Sequence, residues 1–336
     1  MSVSLVTGGA GFIGSHVTQH LLKAGHQVVV LDDLSGGFLD NVPQAADFVE
    51  GSVVDHELLH RLFHKYRFTR VFHLAAYAAE GLSHFIKRFN YQNNLIGSVN
   101  LINESVNHNV SCFVFTSSIA VYGAGQSPLT EEMIPMPEDS YGIAKLAVEQ
   151  ELKVSREMFG LDYVIFRPHN VYGEKQNIGD RYRNVVGIFM NQLLKGEPMT
   201  IFGDGTQQRA FTHINDVAPL IAESVNLAAA HNRVFNVGAD VPYTVNELAE
   251  LVAKAMGKQC KVKHLEPRKE VQIAFSDHSK AERVFGIRKK IALPDGLSSM
   301  GEWVKLHGAR ESNRFNNIEI EKNLPPSWSA VTSVHV

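Results

Sequence analysis

The 336-residue sequence predicts an α/β protein, with a doubly wound parallel sheet followed by a smaller mixed α/β domain. Three observations point there. Short apolar runs alternate with helical patterns through the first half of the chain. A glycine-rich turn joins the first run to the first helix. After Pro168 the rhythm breaks into shorter elements separated by turns such as Phe202-Gly203-Asp204-Gly205.

The first run, Val3-Ser4-Leu5-Val6-Thr7, reads as a buried strand. Gly8-Gly9-Ala10-Gly11-Phe12-Ile13-Gly14 follows at once, then a helical pattern to Lys23, closed by Ala24-Gly25. Gln27-Val28-Val29-Val30-Leu31 is a second buried strand. This βαβ unit is the setting in which a glycine turn binds a dinucleotide. One glycine makes the tight turn, one lets the backbone approach the pyrophosphate, and one lets helix pack on strand. The helix N-terminus then presents N–H groups and a positive dipole end to phosphate. Gly8, Gly11, Phe12, Ile13 and Gly14 are therefore candidate cofactor contacts. Asp32 closes the second strand. A carboxylate there accepts from the adenosine ribose diol and repels a 2′-phosphate, which favours NAD over NADP.

Further strands are predicted at 70–74, 112–116 and 163–166, with helices at 56–66, 91–107 and 141–159. Ligands of such sheets bind at the carboxyl ends of the strands, so the segments after Leu74, Thr116 and Phe166 are expected to line the site. The expected division is a Rossmann-type domain over residues 1–168, with a return segment near 210–237, a substrate domain over 169–309, and a flexible tail over 310–336.

Composition narrows the function. Apolar residues make up 44% and charged residues 20%, as in ordinary soluble enzymes. A net charge of −3 and the short basic runs at 181–183 and 288–290 argue against a nucleic-acid partner. No apolar stretch suggests a membrane span or a secretory leader. Two cysteines, Cys112 and Cys260, exclude a disulfide framework and point to the cytoplasm.

Tyr141 and Lys145 stand one turn apart at the start of a predicted helix and share a face. A lysine ammonium beside the phenol favours the phenolate, as does a cationic nicotinamide ring, which would make Tyr141 a general base. Thr116-Ser117-Ser118 ends a strand and can bring a hydroxyl to the same reacting oxygen.

The set Thr7-Gly8-Gly9-Ala10-Gly11-Phe12-Ile13-Gly14, Asp32, His73-Leu74-Ala75-Ala76, Thr116-Ser117-Ser118, Val121-Tyr122-Gly123, Tyr141-x-x-x-Lys145 and Arg167-Pro168-His169-Asn170-Val171-Tyr172-Gly173 resembles the extended short-chain dehydrogenase/reductases. More narrowly it resembles nucleotide-sugar epimerases of the UDP-glucose 4-epimerase type. That resemblance implies a catalytic triad of Ser118, Tyr141 and Lys145, with Lys145 also on the nicotinamide ribose. It implies cofactor contacts at Leu74, Ala75, Ala76, Asn94 and Ser117. It implies Asn170 at the substrate pyrophosphate, Arg209 and Arg268 on the nucleotide phosphates, and Ala274 beside the sugar 2-substituent, where a small residue leaves room for an N-acetyl group. NAD, a UDP-linked sugar and a homodimer come with it. The apolar positions Leu95, Val99, Ile102 and Val106 are packing positions, within the domain or in such a subunit interface.

Related dehydratases resemble one another in an Asp-Glu pair after the serine, and decarboxylases in a glutamate there. This chain has Ile119-Ala120, neither of which moves a proton. The expected reaction is therefore inversion at C4 through a transient 4-keto sugar. UDP-hexoses and UDP-N-acetylhexosamines are the expected substrates, UDP-glucuronate an alternative. A dehydratase or oxidoreductase with its acid elsewhere, for instance Glu80, is a further alternative. A non-enzymatic NAD-binding scaffold would need none of the triad. Departures from the family pattern are Gly51-Ser52-Val53 at the adenine edge, Tyr77-Ala78-Ala79-Glu80, Arg209-Ala210-Phe211 and Pro267-Arg268-Lys269-Glu270.

His56-Glu57-Leu58-Leu59-His60 is a formal zinc motif, and His64 extends it by a turn. No third ligand stands at a recognised spacing, so the expectation is a solvated helix face and no metal. His73 is expected to pack beneath the cofactor loop.

Overall fold

The structure, a computed structural model, describes residues 2–124, 127–268, 271–311 and 315–328. In chain order its first half runs β1 (Val3–Thr7), α1 (Phe12–Lys23), β2 (Gln27–Asp32), β3 (Asp47–Glu50), α2 (His56–Tyr66), β4 (Arg70–His73), α3 (Glu80–Ser83), α4 (Lys87–Tyr91), α5 (Gly97–Asn107), β5 (Cys112–Thr116), α6 (Ser140–Phe159) and β6 (Tyr163–Pro168). A π-helical turn at Gln92–Ile96 fuses α4 to α5, which gives the single helix expected there. The second half runs β7 (Val171–Tyr172), α7 (Val185–Leu194), β8 (Met199–Phe202), β9 (Gln208–Ala210), β10 (Thr212–His213), α8 (Ala218–Glu223), β11 (Arg233–Val237), β12 (Pro242–Thr244), α9 (Val245–Met256), β13 (Val262–Leu265), β14 (Ile273–Ala274), α10 (Ser279–Phe285) and α11 (Leu293–His307).

Seven strands form one parallel sheet in the order β11-β6-β5-β4-β1-β2-β3. The period-two alternation of its strands feeds two cores. Val6, Val28, Val30, Phe72 and Val114 face α1, α8 and α10. Leu5, Val29, Leu31, Val71 and Phe113 face α2, α5 and α6. Both faces are covered, which is why the strands read as unbroken apolar runs. The order reverses between β1 and β4, the switch point at which such sheets bind ligands.

A third core joins α7, α9 and α11 to β8 through Phe189, Leu248, Val252, Leu297 and Ile201. A capping box between Thr244 and Glu247 starts α9. Leu95 and Val106 pack partly buried against the domain's own core, and Ile102 is buried in it. No helix of the described residues is long and apolar enough to cross a membrane.

The tail differs from expectation. Phe315 lies 4.8 Å from Phe89 and 5.3 Å from Tyr77, ring to ring. Trp328 is buried and packs edge-on to Tyr182 at 5.4 Å. The Glu319 carboxylate accepts from the N–H groups of Arg88 and Phe89, at 2.8 and 2.9 Å, at the open start of α4. Four apolar anchors, Phe315, Ile318, Leu324 and Trp328, thus hold a stretch that reads as polar. Residues 312–314 and 329–336 of that expected tail lie outside the described residues.

Candidate active site

A cleft of about 910 Å³ opens over the carboxyl ends of β1, β2, β4, β5 and β6. Gly8, Gly11, Phe12, Ile13 and Gly14 line one end of it. A Cβ on Gly14 would stand 2.1 Å from the Gly8 carbonyl oxygen, and one on Gly8, at φ +71°, 2.7 Å from the Ala75 nitrogen. Only glycine fits, so backbone alone forms this floor. Gly11 gives α1 no side-chain cap, which leaves the first-turn N–H groups for an anion. Asp32 closes β2 at the same end, its carboxylate accepting from the N–H groups of Ala10 and Leu34 at 3.0 and 2.9 Å. Burial pushes its pKa above the ordinary carboxylate value against those bonds. Bare floor, uncapped helix and terminal acid fit a dinucleotide.

The chemistry sits farther along. Asp139 caps α6 by accepting from Gly142 N–H at 2.8 Å, which fixes the turn that carries Tyr141. The phenol is buried, and the Ser118 hydroxyl lies near enough to act on its titration. The Lys145 ammonium donates to the Thr116 carbonyl at 2.8 Å and lies 5.7 Å from the Tyr141 ring centre. Ser118, Tyr141 and Lys145 thus meet in one place. Their electrostatics differ from the expected pattern. Burial pushes the phenol well above its usual value, opposed by the Ser118 hydroxyl and reinforced by Glu80 and Asp139. Burial also pushes Lys145 down to about 7. Burial thus works against the charged form of both groups, with Glu149 opposing it at Lys145.

Leu74, Ala75, Ala76 and Ser117 line the cleft, but the Ser117 hydroxyl donates into the core, to Glu149 at 2.6 Å. Asn94 does not line the cleft. Its amide pins the Tyr77 backbone behind it, accepting from Tyr77 N–H at 2.8 Å and donating to Tyr77 O at 3.1 Å. Expected as a cofactor contact, it is placed as a support for the Ala76–Tyr77 wall. His73 bridges Thr7 and Ser98 at 2.7 and 2.8 Å and is held neutral by burial, at about 3, so it packs beneath the loop.

Asn170, Arg209, Arg268 and Ala274 form the opposite wall. Asn170 takes φ +42° and donates to the Ala210 carbonyl at 3.2 Å. The Arg209 guanidinium donates to the carbonyls of Gln208, Val271 and Gln272. Arg268 stacks over Phe202 at 4.5 Å; Lys269 and Glu270 of the same motif lie outside the described residues. Ala274 pairs with Arg209 across β14 and β9.

Two features escape the sequence reading. Glu149, fully buried, takes Arg167 in a two-point ion pair at 2.9 and 2.5 Å and receives Ser117 as well. Its one visible signal is its place one turn beyond Lys145. Asp180, Tyr182 and Arg183 line the cleft from the loop before α7, with Arg183 held by Asp180 at 2.7 Å and stacked over Tyr77 at 5.0 Å. Nothing local in the sequence marks that loop.

The chain matches the model of the NAD dependent epimerase/dehydratase family over residues 4–238. It is 34% identical over 310 residues to UDP-glucose 4-epimerase of Mycolicibacterium smegmatis, a match that covers 90% of this chain and 98% of that one. The solved structure of UDP-glucose 4-epimerase from Thermotoga maritima with UDP-glucose superposes at a TM-score of 0.87 and 35% identity, covering 91% of this chain and 99% of the other. UDP-N-acetylglucosamine 4-epimerase from Methanobrevibacter ruminantium, in complex with UDP-N-acetylmuramic acid, superposes at 0.83 and 30% identity, covering 90% and 97%.

Proposed function

The chain belongs to the NAD-dependent epimerase/dehydratase family, and on that premise we propose that it inverts C4 of a UDP-hexose or UDP-N-acetylhexosamine. One observation carries this reading: the Ser118–Tyr141 pair and Lys145 share a cleft with the glycine floor, and the next cleft residues, Ile119 and Ala120, hold no acid.

Bound NAD⁺ supplies the hydride acceptor, the later hydride donor, and a positive ring in the cleft. The protein's own residues do the rest. Gly8, Gly11 and Gly14 with the start of α1 hold the pyrophosphate, and Asp32 holds the adenosine ribose. Tyr141 takes the proton of the sugar 4-hydroxyl and later returns it. Ser118 hydrogen-bonds to the same oxygen. The phenol, raised by burial, is a base only when positive charge stands near it, so proton removal is coupled to a filled cleft. Asn170, Arg209 and Arg268 hold the substrate diphosphate, Arg209 after exchanging carbonyl partners for phosphate oxygens. Ala274 leaves space beside the sugar 2-position, so an N-acetyl group is accepted.

Glu80 favours a second reading. It lines the cleft, and its charge reaches the Tyr141 phenol. As an acid it would serve a dehydratase. A panel of UDP-sugars incubated without added NAD, with products separated by chromatography, distinguishes the two. Epimers without net NADH support the 4-epimerase; an accumulating keto sugar supports the dehydratase through Glu80, and no turnover of any sugar sinks both.

The homodimer belongs to the same proposal. Ile143, Val154 and Met158 fall on one stripe of α6 and are 44%, 51% and 68% exposed, an apolar face suited to a second copy. A monomer at micromolar concentration in sedimentation experiments overturns that part. With Cys112 and Cys260 both unpaired, a reducing compartment such as the cytoplasm suits the chain.

A further inference from the structure

Helices α2 and α5 carry a histidine cluster that takes no part in the cleft. His60 and His64 are one turn apart on α2, with ring centres 4.4 Å apart. His108, at the C-cap of α5, brings its ring to 4.7 Å from His64 and 6.1 Å from His60. One ring nitrogen from each lies within 4.8 Å of the others. Glu104, one turn earlier on α5, sets its Oε2 3.4 Å from His60 Nδ1 and 3.7 Å from His108 Nε2. That His108 nitrogen is shielded from solvent and has no hydrogen-bond partner. An orphaned buried nitrogen is costly and calls for a function.

A tetrahedral zinc with Zn–N bonds of about 2.0–2.1 Å sets its ligand atoms roughly 3.4 Å apart. The two Glu104 spacings are already close to that. The wider nitrogen spacings close by rotation of His60 and His64, which stand at the surface. Imidazole nitrogens with one carboxylate suit zinc among the divalent ions, and the carboxylate offsets its charge.

We propose that His60, His64 and His108, with the Glu104 carboxylate, bind one Zn²⁺ that clamps α2 to the end of α5. The ligand set differs from the formal motif in the sequence. His56 is not in it; its ring is directed to Glu57 at 3.3 Å. The missing third ligand comes from a distant helix that the fold brings alongside. None of the four ligands lines the cleft, so the ion is a brace and takes no part in the chemistry.

The test is calorimetric titration of the EDTA-treated, buffer-exchanged protein with ZnCl₂, with melting curves recorded alongside. The expected result is one saturable equivalent and a rise in Tm. His64→Ala and His60→Ala change exposed side chains, so both fold; each is expected to abolish the Tm rise and to weaken binding by more than the roughly 10–100-fold that loss of a supporting outer group costs. His56→Ala, on the same helix, is expected to bind as the unmodified protein does. The proposal is overturned if the unmodified protein shows no saturable equivalent, or if His60→Ala and His64→Ala both bind zinc as tightly as it does.

Discussion

The two walls of the cleft are built in different ways. The wall of β1, β2, β4, β5 and β6 is parallel sheet, buried on both faces, and it ends in the glycine floor, Ser118 and the capped start of α6. The opposite wall rests on β9 and β14, of three and two residues, and on loops. Its main cation, Arg209, is held by the carbonyls of neighbouring loop residues. The wall proposed to perform the chemistry is thus fixed by long ladders and close backbone contacts. The wall proposed to face the sugar nucleotide hangs on short elements, where substitutions disturb little else. Changes on the first wall are therefore expected to strike every substrate alike, and changes on the second to strike substrates unequally.

Tyr141→Phe is the most severe test of the first wall. It removes the proposed proton acceptor and leaves a ring that fills the same space. Turnover is expected to fall roughly 10²–10⁴-fold on every UDP-sugar, with Tm and bound NAD unchanged. A loss confined to one sugar would show that the walls do not divide the work in this way.

Glu149→Ala attacks the support of the same wall. It leaves the buried Arg167 unpaired and releases Ser117. Breaking such a pair costs roughly 3–5 kcal/mol, measurable by urea unfolding. Turnover is expected to fall for all sugars in proportion, since both partners of Glu149 stand at the strand ends beneath the site.

These two residues also mark what sequence reading reaches. Tyr141 stands out because a motif of local spacing carries it, and the glycine turn stands out because strand, helix and acid follow within a few dozen residues. Periodicity places the buried strands for the same reason: both faces of the sheet are covered, so the runs are long and apolar. Glu149 is a lone acid on a helix until the fold sets Arg167 beside it. The short strand β3, half exposed with the pattern Asp47-Phe48-Val49-Glu50, is silent because an edge strand has little apolar signal. The tail misleads because four apolar anchors are spread through a polar stretch. The histidine cluster is invisible because its third member lies on another helix. Charge state misleads as well: from spacing alone Lys145 is a full cation that activates Tyr141, whereas burial of both groups favours their neutral forms.

Ala274→Leu tests the second wall. The added carbons enter the space proposed to lie beside the sugar 2-position. Overpacking of roughly 1–3 kcal/mol translates into about 5–150-fold lower kcat/KM for the N-acetyl sugar. UDP-glucose, which has only a hydroxyl there, is expected to change little. Equal losses on both sugars would place Ala274 away from the 2-position and remove the argument for N-acetyl acceptance.

The smallest effect is a slope of stability with pH, and it asks whether the walls come apart together. His73 lies beneath the first wall. His169 follows β6 directly, where it meets the second wall, 3.1 Å from both the Ala210 carbonyl and His278. Burial holds each at about 3, whereas an unfolded histidine titrates near ~6.5. Between those values the unfolded chain binds protons that the folded chain refuses. Their contribution to stability is therefore complete above the unfolded value and is lost as the pH falls toward the folded one. Tm is expected to decline from pH 7 to pH 5, and His73→Gln and His169→Gln are each expected to flatten that decline by removing one proton from the balance. Equal flattening means that both walls open in one cooperative step. If His169→Gln flattens a separate, earlier transition that His73→Gln leaves untouched, the second wall opens alone, and the rigid first wall remains behind it.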